Sequence, residues 1–527
     1  MKQKLKLGHK GHRWIIIIRI SSIHRMKVRP HLFSLSKNLD SLLAAIAGFI
    51  LIQLFSKHSG IGVSPDSVTY LSAARHLVRG NGFLSFDNIP VIDFPFAYPF
   101  FLSAISFFTR LDPLQFGPLL NSFLFGLLLY ICGGIMNGFA SYSGWYKRIL
   151  LTCILCSPAL QEVYASFWSE TIFLPLILLF IVVFSKYVRQ MSYAVLLASS
   201  GICAVACLTR YAGIFLVPTG IIVILTHPSL VLRKKLIHAL LFGGLSLSLI
   251  LINILHNYQI TGLAMGLRPR NNTGLFKIME NFGGVICDWL LVARKPIVEI
   301  IFAITVLLVF FIYAISSYRR NKGSIGFEYL LSITGLMYCI FMLFTSTLFR
   351  YEQFTNRLLS PLFIPLLWSL TAWFPDYVRD RSYRMQWVTG LSALVLTAWY
   401  IKIQLMSDYE FYDGVKDAGV PGYREDPFVQ SEIVQFVEKN KTGFDPGFNI
   451  YSNAGDAVYF ITGLSARQIP FSAFPEKVWS YYDSKNTYLI WFNDLDNPEM
   501  PPLDSILRYK QMTLMKQLPD GAVYFSK

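Results

Sequence analysis

The sequence predicts a polytopic α-helical membrane protein of about eleven transmembrane helices, closed by a small C-terminal α/β or α+β domain. Three observations predict it. Apolar residues make up 54% of the chain and charged residues only 15%, a balance that excludes an ordinary soluble enzyme. The apolar residues gather into runs near the ~20 residues a helix needs to cross a bilayer. Charge is also unevenly spread. The last 123 or so residues hold about 17 acids and 11 Lys or Arg, which leaves about 14 acids against 36 bases, near +22, in the rest. In a membrane chain that excess marks cytoplasmic loops. No basic–aromatic surface pattern of the kind that binds single strands is present, so nucleic acid is not a predicted partner.

Taken in order, the tail 1–39 carries ten Lys or Arg and no acid, and is placed in the cytoplasm. Its apolar stretch 14–20 is too short to span and is broken by Arg19, so no cleavable signal peptide is predicted; Met26 is a second candidate start. The first span is 40–56. The first external loop, 57–115, then holds a short helix. Pro65 opens it, Asp66 lies in its first turn, Val68, Leu71, Ala74 and Val78 recur at helical spacing, and Gly80 and Gly82 end it. This reads as an amphipathic helix on the membrane surface. The Pro-broken run 96–110 is a second surface helix, with a span as the alternative.

Further spans are predicted at 116–138, 149–160, 170–187, 192–209, 213–226, 236–255, 297–317, 326–346, 358–374 and 387–404. Most inward turns end in Lys or Arg clusters, which keeps the N-terminus inside and the C-terminal domain outside the inner membrane. A polar loop fills 256–296. From 405 to 527 turn signals and mixed charge replace hydropathy. There 431–439 reads as an amphipathic helix, and 448–452, 458–461, 487–492 and 522–525 read as strands.

Several chemistries find no motif here. Cys153 and Cys156 form a CxxC inside an apolar run with no His partner or second pair, so helix packing explains them better than a metal. His58, His76, His227 and His256 match no ligand spacing. No nucleophile elbow, Walker loop or dinucleotide fingerprint occurs. No cofactor is predicted, and a divalent metal has no support.

The topology instead collects polar residues at the outer membrane face: Asp66, Asp87 and Asp93 in the first loop, Glu170 at the head of a span, Arg210, and Arg350, Glu352 and Arg357 together. Charges at span ends are costly unless paired or used. Carboxylates and arginines lining a cavity there suit an anionic lipid headgroup such as a phosphate. The plainer reading pairs Arg210 with Glu170 and lets Arg350 or Arg357 reach lipid phosphates.

These residues lie in a collinear series. DSxxYxxAAxxLxxGxGF spans 66–83, a Pro-aromatic run follows, and SETIF stands at 169–173, TR at 209–210 and NRLLSP at 356–361. The series resembles the GT-C superfamily of integral-membrane glycosyltransferases, nearest to its protein mannosyltransferase, aminoarabinose transferase and Rgt-type branch. The element YSNAGDAVYFITGLSARQIP at 451–470 is similar to the external domain of bacterial members. The resemblance implies inverting transfer of a sugar from a polyprenyl-phosphate donor to an acceptor lipid, glycan or protein outside the membrane. It makes Asp66 the general base. The leaving phosphate needs fixed cations, for which Arg210, Arg350 or Arg357 are the candidates. Asp87, Asp93, Glu170 and Glu352 would position substrates, and Tyr70 and Tyr98 would stack on the sugar, with core packing the equal reading. Many relatives have two adjacent acids where this chain has Pro65-Asp66-Ser67. Readings from other classes are a lipid-linked oligosaccharide flippase, against which no internal repeat is seen, and a non-catalytic membrane assembly protein.

Overall fold

The computed structural model describes residues 38–139, 143–268, 270–320, 325–350, 353–495 and 497–527; the basic tail before Asn38 and Glu352 lie outside them. Helix α1 (Leu39–Phe55) leads to α2 (Pro65–Val78), where Ser64 and Ser67 cap the start reciprocally and Gly80 and Gly82, both at positive φ, carry the chain away. Helix α3 (Ala97–Thr109) is about 20 Å long, too short to cross the ~30 Å hydrocarbon core. Helix α4 (Pro113–Met136) follows, with Asp112 as its N-cap.

The span predicted at 149–160 is instead two helices, α5 (Gly144–Leu155) and α6 (Pro158–Ala165). Pro158 has no N–H to give the preceding turn and its ring would clash there, so the helix breaks. The bundle continues with α7 (Glu170–Gln190), α8 (Tyr193–Thr209), a 3-10 turn (Tyr211–Phe215) entering α9 (Leu216–Thr226), and α10 (Leu232–Thr261). The loop predicted at 256–296 contains an amphipathic helix, α11 (Leu275–Trp289). Then come α12 (Pro296–Arg320), α13 (Phe327–Leu348), α14 (Asn356–Thr371), α15 (Phe374–Arg379) and α16 (Tyr383–Ala418).

Seven of these stretches are long and apolar enough to cross a membrane: α4, α7, α10, α12, α13, α14 with α15, and α16. Of the other predicted spans, α1, α8 and the α9 segment are shorter apolar helices, and the last is the broken α5–α6 pair. The chain is therefore an integral membrane protein. Helix α16 does not stop where its apolar run does, at 404, but continues to Ala418, so the sheet-bearing part begins only after Gly419.

That part contains α17 (Asp426–Val429), α18 (Glu432–Lys439), β1 (Asn449–Ser452), α19 (Gly455–Thr462), β2 (Arg467–Gln468), α20 (Pro475–Asp483), β3 (Thr487–Phe492), α21 (Leu503–Tyr509), β4 (Thr513–Leu518) and β5 (Gly521–Ser526). The sheet order is β2-β1-β3-β5-β4. β1 runs parallel to β2 and β3, with α19 and α20 in the crossovers such pairs require, and β5 pairs antiparallel with β3 and β4. Residues 458–461, predicted as a strand, lie in α19. Their Val, Tyr, Phe and Ile favour strands, but Asp456 in the first turn and Gly463 at φ 75° give this stretch helix ends.

One sheet face carries α18 and α19 and the other α20 and α21. The first face shares a core with the membrane part: Ala457, Val458, Val437 and Ile490 pack with Val68, Leu71, Ala74 and Leu102. Helix α2 is thus covered by α3 on one side and α19 on another, and is not a free helix on the bilayer surface as predicted. Midway along their lengths, α1 and α4 approach closely at Gly126, where a Cβ would lie 2.9 Å from the Ala45 carbonyl oxygen.

Candidate active site

Four helix ends meet where the bundle joins the C-terminal domain. A two-bond bridge aligns two of them: Gly62 N–H donates to the Ala165 carbonyl (2.9 Å) and Phe167 N–H to the Gly62 carbonyl (2.8 Å). Buried Asn121 of α4 reinforces it by donating to the carbonyls of Tyr164 and Ser166, both at 2.8 Å. The first turns of α2 and α7 therefore lie side by side, which brings Asp66 toward Glu170. Arg357, in the first turn of α14, bridges them. Its Nη2 is 2.6 Å from Asp66 Oδ2 and its Nε donates to Glu170 Oε1 at 2.6 Å. Arg210, the residue ending α8, sits 2.6 Å from Glu170 Oε2 and donates to Ser169 Oγ at 2.9 Å. The result is an alternating chain, Asp66–Arg357–Glu170–Arg210.

Glu170 is the keystone. Its side chain is 1% exposed, against 33% for Asp66, and both its oxygens are spent on arginines. Asp66 holds its arginine with one oxygen and opens toward solvent, which suits a proton acceptor. The Arg357 guanidinium lies over the Trp168 ring, 4.5 Å from its centroid, and Trp168 Nε1 donates to Ser64 Oγ at 2.8 Å, tying this stack to the cap of α2. Helix poles matter too. Asp66 and Glu170 sit at N-termini and Arg210 at a C-terminus, all favourable, but Arg357 sits at the positive end of α14 and adds its own charge there. That spot calls for anions, and two carboxylates answer it.

The other predicted residues divide. Asp93 lines the same recess. Gly266, at φ 53°, lies directly against its carboxylate, and Arg268 Nη2 donates to its carbonyl at 3.2 Å. The crowding of protein around Asp93 raises its carboxyl, Arg268 opposes this and Asp66 adds to it. Asp87 is further out on a turn, where its Oδ1 accepts from Ile89 N–H at 3.1 Å, and desolvation raises it as well. Tyr70 and Tyr98 are buried edge-to-face against each other, with centroids 5.0 Å apart. Neither offers an open ring face for a sugar; the Tyr70 hydroxyl instead reaches Ser169 Oγ at 3.3 Å. Arg350 does not join the group. It pairs with Glu499 of the C-terminal domain at 2.9 Å on an exposed surface. Glu352 lies outside the described residues. Among the described residues no cluster of three or more His, Cys, Asp or Glu forms a metal-ligand set.

The structure adds residues that sequence reasoning missed. Glu162 accepts from Asn356 Nδ2 at 3.0 Å, beside Arg357, and Asn356 Oδ1 accepts from Trp289 Nε1 at 2.9 Å. A signal existed: Glu162 is the sole acid between Asp112 and Glu170, in an apolar stretch where such a residue is suspect. Asn253 and Asn257, one turn apart on α10, hold the Asp93 loop and its neighbour: Asn253 Oδ1 accepts from Phe96 N–H at 3.1 Å and Asn257 Nδ2 donates to the Ala264 carbonyl at 3.2 Å. Beneath Trp289 opens an apolar cavity of about 990 Å³ between α5, α14 and α16, lined among others by Tyr146, Phe363, Leu367, Leu394 and Tyr400. Trp289, which lines this cavity, is tied through Asn356 to the residue next to Arg357, and the lining runs from there along α14 to Thr371.

Neither a family model nor a curated protein matches this chain. Solved structures do. ArnT from Cupriavidus metallidurans bound to undecaprenyl phosphate superposes with a TM-score of 0.55 at 12% identity, covering 92% of this chain and 97% of that one. The same protein in its apo state gives a TM-score of 0.56 at 11% identity, covering 93% and 98%. The coverage takes in both the helical bundle and the C-terminal domain, and the likeness establishes a fold shared with that protein.

Proposed function

We propose that this protein is a glycosyltransferase that moves a sugar, with inversion, from a polyprenyl-phosphate donor to an acceptor hydroxyl at the outer face of the inner membrane. The observation that carries the reading is the Asp66–Arg357–Glu170–Arg210 chain, tied through Asn356 and Trp289 to an apolar chamber in a fold shared with a protein solved with undecaprenyl phosphate. The N-terminus lies inside and the sheet domain outside, as the basic inward turns require.

We read the chemistry as a single displacement. The acceptor oxygen attacks the anomeric carbon and loses its proton to Asp66, while the bond from that carbon to the phosphate oxygen breaks. The electron pair leaves with the polyprenyl phosphate, whose growing negative charge falls to Arg357 and Arg210. In the resting arrangement Arg357 holds Asp66. A donor phosphate at the positive end of α14 competes for that guanidinium, so donor binding loosens the grip on Asp66 and frees the base. The isoprenoid chain occupies the chamber below Trp289. Glu170 stays between the arginines and keeps them from repelling each other.

The test uses purified protein in lipid, a panel of polyprenyl-phosphate sugars and an extract of candidate acceptors. Wild type releases polyprenyl phosphate when acceptor is present. Asp66→Asn, with its melting temperature preserved, loses about 10²–10⁴ of that rate, the span of general-base catalysis. Equal release by both proteins removes Asp66 from the base role and turns attention to Asp93. Headgroup translocation without a new glycosidic bond would mark a flippase instead.

A further inference from the structure

The face of the C-terminal sheet turned away from the membrane part carries exposed rings held in a fixed arrangement. Trp479 and Tyr482 lie one turn apart on α20, and Tyr509 ends α21. The Tyr482 and Tyr509 rings are within 23° of parallel, with centroids 5.6 Å apart. Trp479 stands upright against both, at 87° to Tyr482 and 71° to Tyr509, with centroids 5.5 and 5.4 Å away. Tyr509 stacked on Tyr482, with Trp479 standing against both, makes a stepped aromatic corner. Trp479 is 53% and Tyr509 56% exposed, unusual for rings of this size without a covering partner.

What holds them is a buried cation. Lys510, the residue after Tyr509, is 2% exposed. Its ammonium donates to the Tyr481 carbonyl (3.0 Å), to Ser484 Oγ (3.0 Å) and to the Ser484 carbonyl, all at the C-terminal end of α20. A positive charge at that helix end is favourable. It fixes the end of α21 against the end of α20, and so fixes Tyr509 beside Tyr482. Burying a lysine is costly unless its donors are satisfied, and here that expense serves to hold exposed rings in register.

We propose that this corner is a saccharide-binding platform. A pyranose presents an apolar face of C–H bonds and an edge of hydroxyls. The face stacks on the half-exposed Tyr509, which Tyr482 backs, with Trp479 limiting its slide, and the phenol groups and flanking Asp483 and Arg508 bond the hydroxyls. The footprint decides against a protein partner. Two half-exposed rings and the more covered Tyr482, at about 150–250 Å² each, offer about 300 Å² at most, below the ~800 Å² a stable protein interface takes from each side. One or two sugar rings fit it. The position argues against a bilayer, because the opposite sheet face, with α18 and α19, is the one that meets the membrane part. In naming a glycan as the acceptor that docks here, the inference rests on the transferase reading above; the binding itself does not.

The experiment needs no donor. Full-length protein in nanodiscs is titrated with maltotetraose, chitotetraose and an α1,6-linked mannotetraose, followed by saturation-transfer NMR. Saturable binding of at least one is expected. Trp479→Ala and Tyr509→Ala each weaken it about tenfold, while Tyr509→Phe, which keeps the stacking face and leaves Lys510 untouched, stays within about threefold. The melting temperature of each variant checks the fold. The proposal is overturned if none of the three binds, or if binding ignores both alanine variants. Binding that persists in Asp66→Asn protein leaves the platform standing whatever becomes of the transfer reaction, and failure here leaves the transferase reading intact.

Discussion

Arg357 illustrates how one residue can be both unfavourable and necessary. It places a full charge at the wrong pole of α14 and is stabilised only because Asp66 and Glu170 take its two edges. Glu170 is the less replaceable of the two, since it neutralises two arginines from a position 1% exposed. In Glu170→Gln the amide cannot balance either charge, and breaking a buried pair this way costs about 3–5 kcal/mol. Thermal unfolding in detergent should show that loss together with loss of transfer, whereas Asp66→Asn, one-third exposed, should lose transfer while melting near the wild-type temperature. A Glu170→Gln protein that melts like wild type would mean the arginines are held by something else. The ionisable half of this site was legible in the sequence because charges next to apolar runs stand out. The less legible half concerns residues whose placement depends on burial. Tyr70 and Tyr98, for which core packing and a sugar contact were equal readings, are packed inside, and Arg350, close to Arg357 in sequence, pairs instead with Glu499. Glu162 needed the fold to gain meaning: it matters through Asn356, which comes from a helix nearly two hundred residues away.

Helix α2 owes its position to contacts at both ends. Near its C-terminal end, Arg75 makes a bidentate pair with Asp112, the N-cap of α4, at 2.7 and 3.0 Å. Burial alone would raise the Asp112 carboxyl, but the Arg75 hydrogen bonds and charge outweigh it and hold the group below its usual value. A depressed folded-state pKa adds stability above the unfolded value, about 4, and that stability is lost as pH falls through the folded value. Asp112→Asn keeps an acceptor for the cap and removes only the charge. Its melting temperature should therefore lie below wild type at neutral pH, and the gap should close as pH falls below the usual carboxylate range; a gap that persists in acid would place the effect in the cap, not the ion pair. Elements of this kind, with a proline start, a capping pair and a glycine stop, can be read directly from sequence. Others cannot. The α5–α6 break was hidden because hydropathy is blind to a single proline in an apolar window. In β4 five of six residues are exposed, so it shows no alternation to detect, and α19 carries strand-forming residues that its ends overrule.

On the scale of the molecule, the membrane part and the sheet domain form one structure around Asp66. The order of the helices was readable because lipid imposes a simple rule on composition. Their junction was not, because it joins segments far apart in the chain through a shared apolar core and a few loop hydrogen bonds. Tyr423 N–H donates to the Val63 carbonyl at 2.9 Å, Val420 N–H donates to Ser59 Oγ at 3.0 Å, and the Tyr423 hydroxyl donates to Asp456 in the first turn of α19 at 2.7 Å. Gly422 lets the chain pass: it sits at φ 126°, and a Cβ there would be 2.3 Å from the Val63 carbonyl oxygen. The segment it crosses, Val63 and Ser64, leads directly into α2. Gly422→Ala should therefore act at a distance from its own domain. It should push Val63 away, loosen the start of α2 and disturb Asp66 without touching any charged residue. Hydrogen exchange read peptide by peptide would show faster exchange across Pro65–Val78 and unchanged protection in α7 and α13, with transfer reduced in step. If exchange rises only within the sheet domain, the junction does not hold the base-bearing helix, and α2 must be positioned by the bundle alone.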